Sequence, residues 1–406
     1  MTRTSDTEIR TPTAELRRAR LAVSVLFVLA GAVMGGWAGR IPSVRDQLGV
    51  SNGEWGLIVL AAPIGVLASL LVLSRVIDRT GARTPSVAGA VGMLVLVPIA
   101  ALATEPWLLI VCLLVLGLAQ GLLFGPMNAL AVEVERGYSR SIISSFHFWY
   151  SGGQFLGGLL GVAAGMLQFS AALQLAASGL LLAALFLVTL RFLPDTHRTG
   201  PDAAVLPDAP EAAPARSGVR SWTPQLLLLA AIALLTSVNE GGAVQWSALY
   251  SVELGGGVAV GSLTLVCYSL AIAAARLVGD RVVEAIGRRR FLQLSAAISV
   301  LGLGIGLLTG TVAGALIGFA CLGVGSGCIV PTAMTLAGNQ PGVPSATAVA
   351  LISIGQWPAF LLGPPIIGGL AELFGLRAAL AVVVLSAAAI IALASFVRER
   401  TVALAG

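Results

Sequence analysis

The sequence predicts an all-α membrane protein with twelve transmembrane helices in two pseudo-symmetric six-helix bundles. Three observations carry this. Hydrophobic residues make up 57% of the 406-residue chain and charged residues 11%, with a mean hydropathy of +0.94, whereas a soluble domain carries about 25% charge. Apolar runs of the roughly 20 residues that a spanning helix needs follow one another along the whole chain. No ten-residue alternation of a membrane barrel competes with them. Finally, a charged loop at residues 75–83, with Asp78, Arg79, Gly81 and Arg83, lies between two apolar runs and returns in altered form at 279–290, with Asp280 and Arg281.

The duplication shows best between the fifth and eleventh spans. Ser151-Gly-Gly-Gln154-Phe155 matches Ser353-Ile-Gly-Gln356-Trp357 at an offset of 202 residues, which Asp78–Arg79 and Asp280–Arg281 share. Gly35–Gly36 and Gly241–Gly242 match at 206. Several matches in one order indicate an internal repeat, and a repeat of helical bundles is the plan of a secondary transporter.

Taken in order, a polar tail (1–20) precedes the first bundle (21–193). Its spans begin with the apolar run 21–39 and continue at 54–73, 84–103, 107–131, 141–167 and on to about 192. The run 21–39 lacks a small-residue cleavage site and reads as a retained helix. The fourth span carries glycines at 117, 121 and 125, and the fifth at 153, 157, 161 and 165, ladders that let helix backbones approach closely. Residues 194–221 are rich in Pro, Ala and Asp and read as a cytoplasmic linker. The second bundle (222–397) repeats the plan at 224–250, 260–278, 291–309, 312–336, 346–370 and 376–397, and a short cytoplasmic tail (398–406) ends the chain.

All 24 basic residues are arginines. With both termini placed in the cytoplasm, 21 of the 24 fall on the cytoplasmic side, and only Arg40, Arg45 and Arg377 on the other. The positive-inside rule therefore predicts a multi-pass plasma (inner) membrane protein with both termini cytoplasmic. The net charge of +5 is dispersed among loops and does not suggest a nucleic-acid partner. The four cysteines all lie in apolar spans, and Cys321 and Cys328 are about 10 Å apart along one helix, too far to bridge. No disulfide, metal site or cofactor is expected, and a monomer in the lipid bilayer is.

The loop at 75–83 resembles the signature of the major facilitator superfamily between its second and third spans, Gly-x-Leu-Ala-Asp-Arg-x-Gly-Arg-Arg/Lys. Asp78, Arg79, Gly81 and Arg83 match, while Ser74 and Ala82 depart from it. Across nearly the whole chain, Trp37-Ala-Gly-Arg40-Ile-Pro42, Met127–Asn128, Phe146–His147, Glu240–Gly241 and Gly363-Pro-Pro365 are similar to the MosC-like branch, related to a rhizopine-associated membrane protein. The resemblance implies that Asp78 meets the start of the eleventh span, near Ser345. There a carboxylate meets the positive end of a helix and acts as a latch closing the cytoplasmic side. Where that branch often has Asp, this chain has Phe124 and Gln245, so a coupling scheme built on those carboxylates does not apply.

An ionisable group at the bilayer centre costs at least about 2.5–3.5 kcal/mol and is by default functional. Glu240 is the clearest case, roughly 24 Å along the seventh span from Pro224, with Gly241–Gly242 after it to loosen the helix. It is a candidate for proton coupling or substrate binding, against a structural ion pair with Arg40. His147, in the fifth span, is a second proton-coupling candidate, since its unperturbed pKa is near 6.5; its alternative is a hydrogen bond to the loop at 133–140. Gln154 and Gln356 occupy equivalent repeat positions and either face a shared cavity or bond helix to helix. Gln120, Asn128, Tyr150, Tyr268 and Trp357 complete the cavity candidates. Arg40, Asp78, Arg79, Gly81, Arg83, Asp280 and Arg281 are assigned to gating.

These residues point to a secondary active transporter of a small organic solute, neutral and polar like a sugar or polyol, or amphipathic. It works by alternating access with a proton as coupling ion. A drug or metabolite efflux antiporter is the alternative. The efflux string Gly-Pro-x-x-Gly-Gly stands in the fifth span of such proteins, whereas a related string occurs here at 363–369 in the eleventh. A non-transporting membrane sensor is disfavoured by the short linker. An enzyme is not expected, because no nucleophile–base constellation or phosphate loop is found.

Overall fold

A computed structural model describes residues 13–138, 142–195, 223–340 and 342–398. The first dozen residues, the linker from 196 to 222 with His197, and the tail beyond 398 lie outside the described residues. The first half comprises α1 (Ala14–Leu48), α2 (Asn52–Ile58), α3 (Ala61–Thr80), α4 (Arg83–Ala100), α5 (Pro106–Arg136), α6 (Ile143–Met166) and α7 (Ala171–Leu190). The second comprises α8 (Pro224–Glu253), α9 (Gly257–Ile286), α10 (Arg288–Thr309), α11 (Val312–Ser326), α12 (Ile329–Gly338), α13 (Ser345–Phe374), α14 (Leu376–Ala379) and α15 (Ala381–Ala394). Eleven helical stretches among the described residues are long and apolar enough to cross a bilayer. The 24-residue α6 makes the twelfth; His147, Gln154 and three serines make it more polar than the others.

Local chemistry sets the helix ends. Thr13, Ser170, Thr223 and Thr311 each accept a backbone N–H three residues on, capping α1, α7, α8 and α11. Pro106 and Pro224 occupy first-turn positions, where a missing N–H costs nothing. The structure differs from expectation at α1, which runs unbroken through Pro42 to Leu48. The residues read as tail (14–20), and 43–48 between the first two predicted spans, are thus helical. Ala14, Glu15, Leu16 and the arginines after them are good helix formers, and left-handed Gly49 (φ 62°) stops the helix. The tenth span, by contrast, is broken into α11 and α12 at Gly327–Cys328.

The two halves repeat one packing scheme. In the first, α1 lies against α6, α5 between α3 and α4, and α7 against α1 and α4. In the second, α8 lies against α13, α11 between α9 and α10, and α15 against α8 and α10. The fit of α1 to α6 is backbone to backbone: a Cβ on Gly35 would collide with the Gln154 carbonyl oxygen. The glycine ladder of α6 divides its work, since Gly153 and Gly157 face α1 while Gly161 and Gly165 face α9 of the other half.

The loops after α3 and α9 end alike. Gly81 (φ 69°) donates its N–H to Ile77, and Gly287 (φ 83°) donates to Val283. These glycines are offset by 206 residues, not the 202 read from Asp78–Arg79 and Asp280–Arg281. Asp280 therefore lies about one turn deeper along its helix than Asp78 does.

Polar contacts between the described residues of the two halves collect toward the end where α1 stops. Ser262 Oγ donates to the Gly39 carbonyl at 2.7 Å. Arg45 pairs with Glu253 at 3.5 Å. Asn52 donates to Glu253 at 3.3 Å, and the Gly53 N–H to Glu372 at 3.1 Å. The main apolar core crosses the halves there, joining Trp37 and Trp55 to Trp246, Tyr250 and Ile367. A second core, containing Leu226, Leu292, Ala333, Ile352 and Ile390, stays within the second half at the opposite end, where the arginine-rich loops lie. Among the described residues the end where α1 stops is sealed, while at the other, parted end no polar contact joins the halves.

Candidate functional site

The site lies where the seal gives way, between α8 and α9 of the second half and α6 of the first. Helix α8 passes straight through Gly241–Gly242, so the expected loosening there does not occur. It presents Glu240 half-buried, and the space beside Gly241 is open, with nothing within 4 Å of where a Cβ would stand. No hydrogen bond or ion pair engages Glu240 among the described residues; the only two ion pairs there are Arg45–Glu253 and Arg136–Glu133. Arg40, the expected partner, is committed elsewhere: its Nη2 donates to the Phe169 carbonyl at the turn between α6 and α7.

Arg276, exposed on α9, lies near enough for its charge to act on Glu240. The two interact electrostatically without touching, and both act on the Tyr150 and Tyr268 hydroxyls. Arg276 is held by its Nε, which donates to the Gly327 carbonyl at 3.1 Å. That carbonyl belongs to the break between α11 and α12, where the regular ladder lapses and leaves an acceptor free. The tenth span is therefore a broken helix, as are the second (α2–α3) and the twelfth (α14–α15), and the backbone at its break anchors the arginine of the site. Tyr268 is 2% exposed, and its hydroxyl has no partner. Next to Glu240, Asn239 is buried with both amide atoms unpaired. Unpaired buried polar atoms in a native fold ask for water or a ligand.

The remaining candidates divide. Gln356 accepts from Ser237 Oγ of α8 at 3.0 Å, the helix-to-helix alternative of the sequence reading. Gln154, its repeat mate, is half-buried. Gln120 donates to Met34 Sδ of α1 at 3.1 Å, and Asn128 to the Phe124 carbonyl of its own helix at 2.9 Å. Tyr150 meets Phe124 edge to face, as His147 meets Phe27 and Trp357 meets Phe360. At the parted end, Asp78, Arg79, Asp280 and Arg281 are exposed, and Arg83 donates to the Leu190 carbonyl of α7. The antiparallel register of α6 on α9 runs through Gly165 on Ala259, Gly161 on Ser262 and Gly158 on Val266.

Arg276 was missed as a site residue because it counts, by sequence, among the loop arginines. The signal was its position four residues inside Asp280, at the end of an otherwise apolar run.

Comparison with known proteins agrees with this arrangement. The chain is 31% identical over 384 residues to an uncharacterized transporter, y4wD, of Sinorhizobium fredii (strain NBRC 101917 / NGR234), covering 93% of this chain and 97% of that protein. It is 29% identical over 390 residues to the membrane protein MosC of Rhizobium meliloti, covering 93% and 90%. Among solved structures, a mutant of the nucleoside transporter NupG superposes with a TM-score of 0.72 at 14% identity, covering 94% of this chain and 100% of that one. A bacterial homologue of the human lysosomal transporter Spinster gives 0.73 at 13%, covering 95% and 97%. The family model of the Major Facilitator Superfamily matches residues 21–339 and again 242–405. Duplicated bundles, the charged loop after α3 and whole-length similarity to transporters converge on one identification: this chain belongs to the Major Facilitator Superfamily and is a membrane transporter.

Proposed function

We propose that the protein is a monomeric, proton-coupled secondary transporter of a small organic solute, working by alternating access between its two halves. One observation carries the reading: contacts between the halves gather at one end, and a carboxylate without a bonded partner, Glu240, stands just inside the parted region. An unpaired acid deep in a membrane protein can exchange a proton with the open side and with a bound solute. The arginine distribution supports assigning the parted end to the cytoplasm, the termini to the same side, and the structure to the inward-facing state. The hydroxyls, amides and aromatic rings around the site suit a polar or amphipathic solute, and Arg276 supplies a donor for its acceptor groups.

The test begins with a thermal-shift screen of polyols, sugars and nucleosides on purified protein. Uptake of any hit is then measured in proteoliposomes under an imposed pH gradient. Uphill accumulation that Glu240→Gln loses, while still exchanging solute down its gradient, supports the proposal. Equal uphill accumulation by the variant removes Glu240 from coupling, and ligand binding without flux makes the protein a sensor.

A further inference from the structure

At the sealed end, away from Glu240, a second feature lacks an explanation within the transport site. Arg40 of α1 is 3% exposed. Its Nη2 bonds the Phe169 carbonyl, but Nε and Nη1 are buried with no partner. No carboxylate lies within ion-pair distance of it among the described residues. Arginine keeps its charge under almost all conditions, and a buried charge without a counterion is strongly unfavourable.

Arg40 borders a cavity of about 540 Å³. Ser43, Gln168 and Ser170 supply polar walls, and Ala259 at the start of α9 closes it from the other half. The 20-residue α7 begins at this wall, so its first N–H groups and the positive end of its dipole add to the arginine. Everything charged on the wall is positive. Beside it, Met166, Leu167 and Phe169 of the α6–α7 turn expose apolar side chains, at 74%, 64% and 47%. An occupant with an anionic oxygen head and apolar tails satisfies all of these surfaces together.

We infer that Arg40 anchors a phosphate-binding site at the seam between the halves, filled by the headgroup of a phospholipid whose acyl chains lie along the α6–α7 turn. Both halves wall the cavity, so occupancy favours the sealed outer end. A guanidinium edge matches phosphate oxygens through paired donors, and Arg40 lines the cavity that holds the occupant.

The full-length protein, delipidated in a maltoside detergent that carries no phosphate, is titrated with dioctanoyl phosphatidylglycerol, with sodium phosphate, and with sodium chloride at matched ionic strength. Melting temperature is the readout. The lipid is expected to raise it by several degrees at concentrations where phosphate and chloride do not. Arg40→Gln abolishes the rise, and so does Ser43→Leu, which fills the cavity with the arginine in place and keeps the test decisive if Arg40→Gln fails to fold. Phosphate as effective as the lipid at equal concentration overturns the lipid assignment in favour of a free oxyanion. No stabilisation beyond chloride, or equal stabilisation of both variants, overturns the site and leaves water as the solvent of Arg40.

Discussion

A single methyl group at the outer seam tests whether the two halves exchange access as rigid bodies. Gly56 of α2 packs against α13 of the other half. A Cβ there would stand 2.6 Å from the Pro364 carbonyl oxygen and 3.2 Å from Gly368 Cα. Reaching ordinary contact, 3.4 Å or more, requires the halves to part by close to 0.8 Å at that point, and both neighbours are backbone atoms that cannot rotate away. Overpacking of this kind costs about 1–3 kcal/mol. The contact joins the halves only while this end is sealed, so the strain falls on that state alone. Gly56→Ala therefore shifts the balance of access states by about 5- to 150-fold toward opening of the sealed end. Spin labels at Arg75→Cys and Asn339→Cys, both exposed at the parted end of opposite halves, report this in a background without the four native cysteines. Pulsed electron resonance is expected to show the long-distance population falling and a shorter one rising as the parted end closes. An unchanged distance distribution, with the variant folded, would refute rigid exchange across this seam.

Other outcomes follow from the same geometry. Arg276→Gln removes the charge that acts on Glu240 while keeping a donor for the Gly327 carbonyl; the acid-driven component of uptake is expected to shift in its pH profile, with folding by thermal melt unchanged. Ser237→Ala deprives half-buried Gln356 of its buried donor and is expected to lower stability by about 1 kcal/mol, read by thermal melting in detergent. Glu253→Gln breaks the partly exposed pair with Arg45 and is expected to cost only about 0.2–1 kcal/mol, a difference that shrinks as salt is added. Asp78→Asn is expected to slow turnover in proteoliposomes by weakening closure of the parted end; unchanged rates and unchanged labelling there would reject that role.

The duplication, the helix count and the placement of Glu240 were legible in the sequence, because each rests on apolar run length or on a repeated string. The charge that acts on Glu240 was not. Arg276 reads as a loop arginine, and only its bond to the carbonyl at the break in the tenth span sets it near the site. The break had a faint signal that went unread: Pro331, four residues beyond Gly327, lacks the N–H that would bond the Gly327 carbonyl. Gly241–Gly242 carried the stronger local signal yet leaves α8 intact, since packing against α13 and α15 outweighs the small propensity cost of each glycine. Identical side chains also conceal different duties. Gln154 and Gln356 are repeat mates by sequence, but only Gln356 has a serine opposite it on α8 to bond.

The apolar core that crosses the halves gives the transport cycle a default setting. Trp55, Trp246 and Tyr250 are fully enclosed where the two bundles meet, and opening that end must wet their faces, at about 25 cal/mol for each Å² uncovered. A carrier built this way rests with that end shut, because an empty molecule has nothing to offset the wetting of that seam. A bound cargo must supply the difference, so turnover is tied to loading.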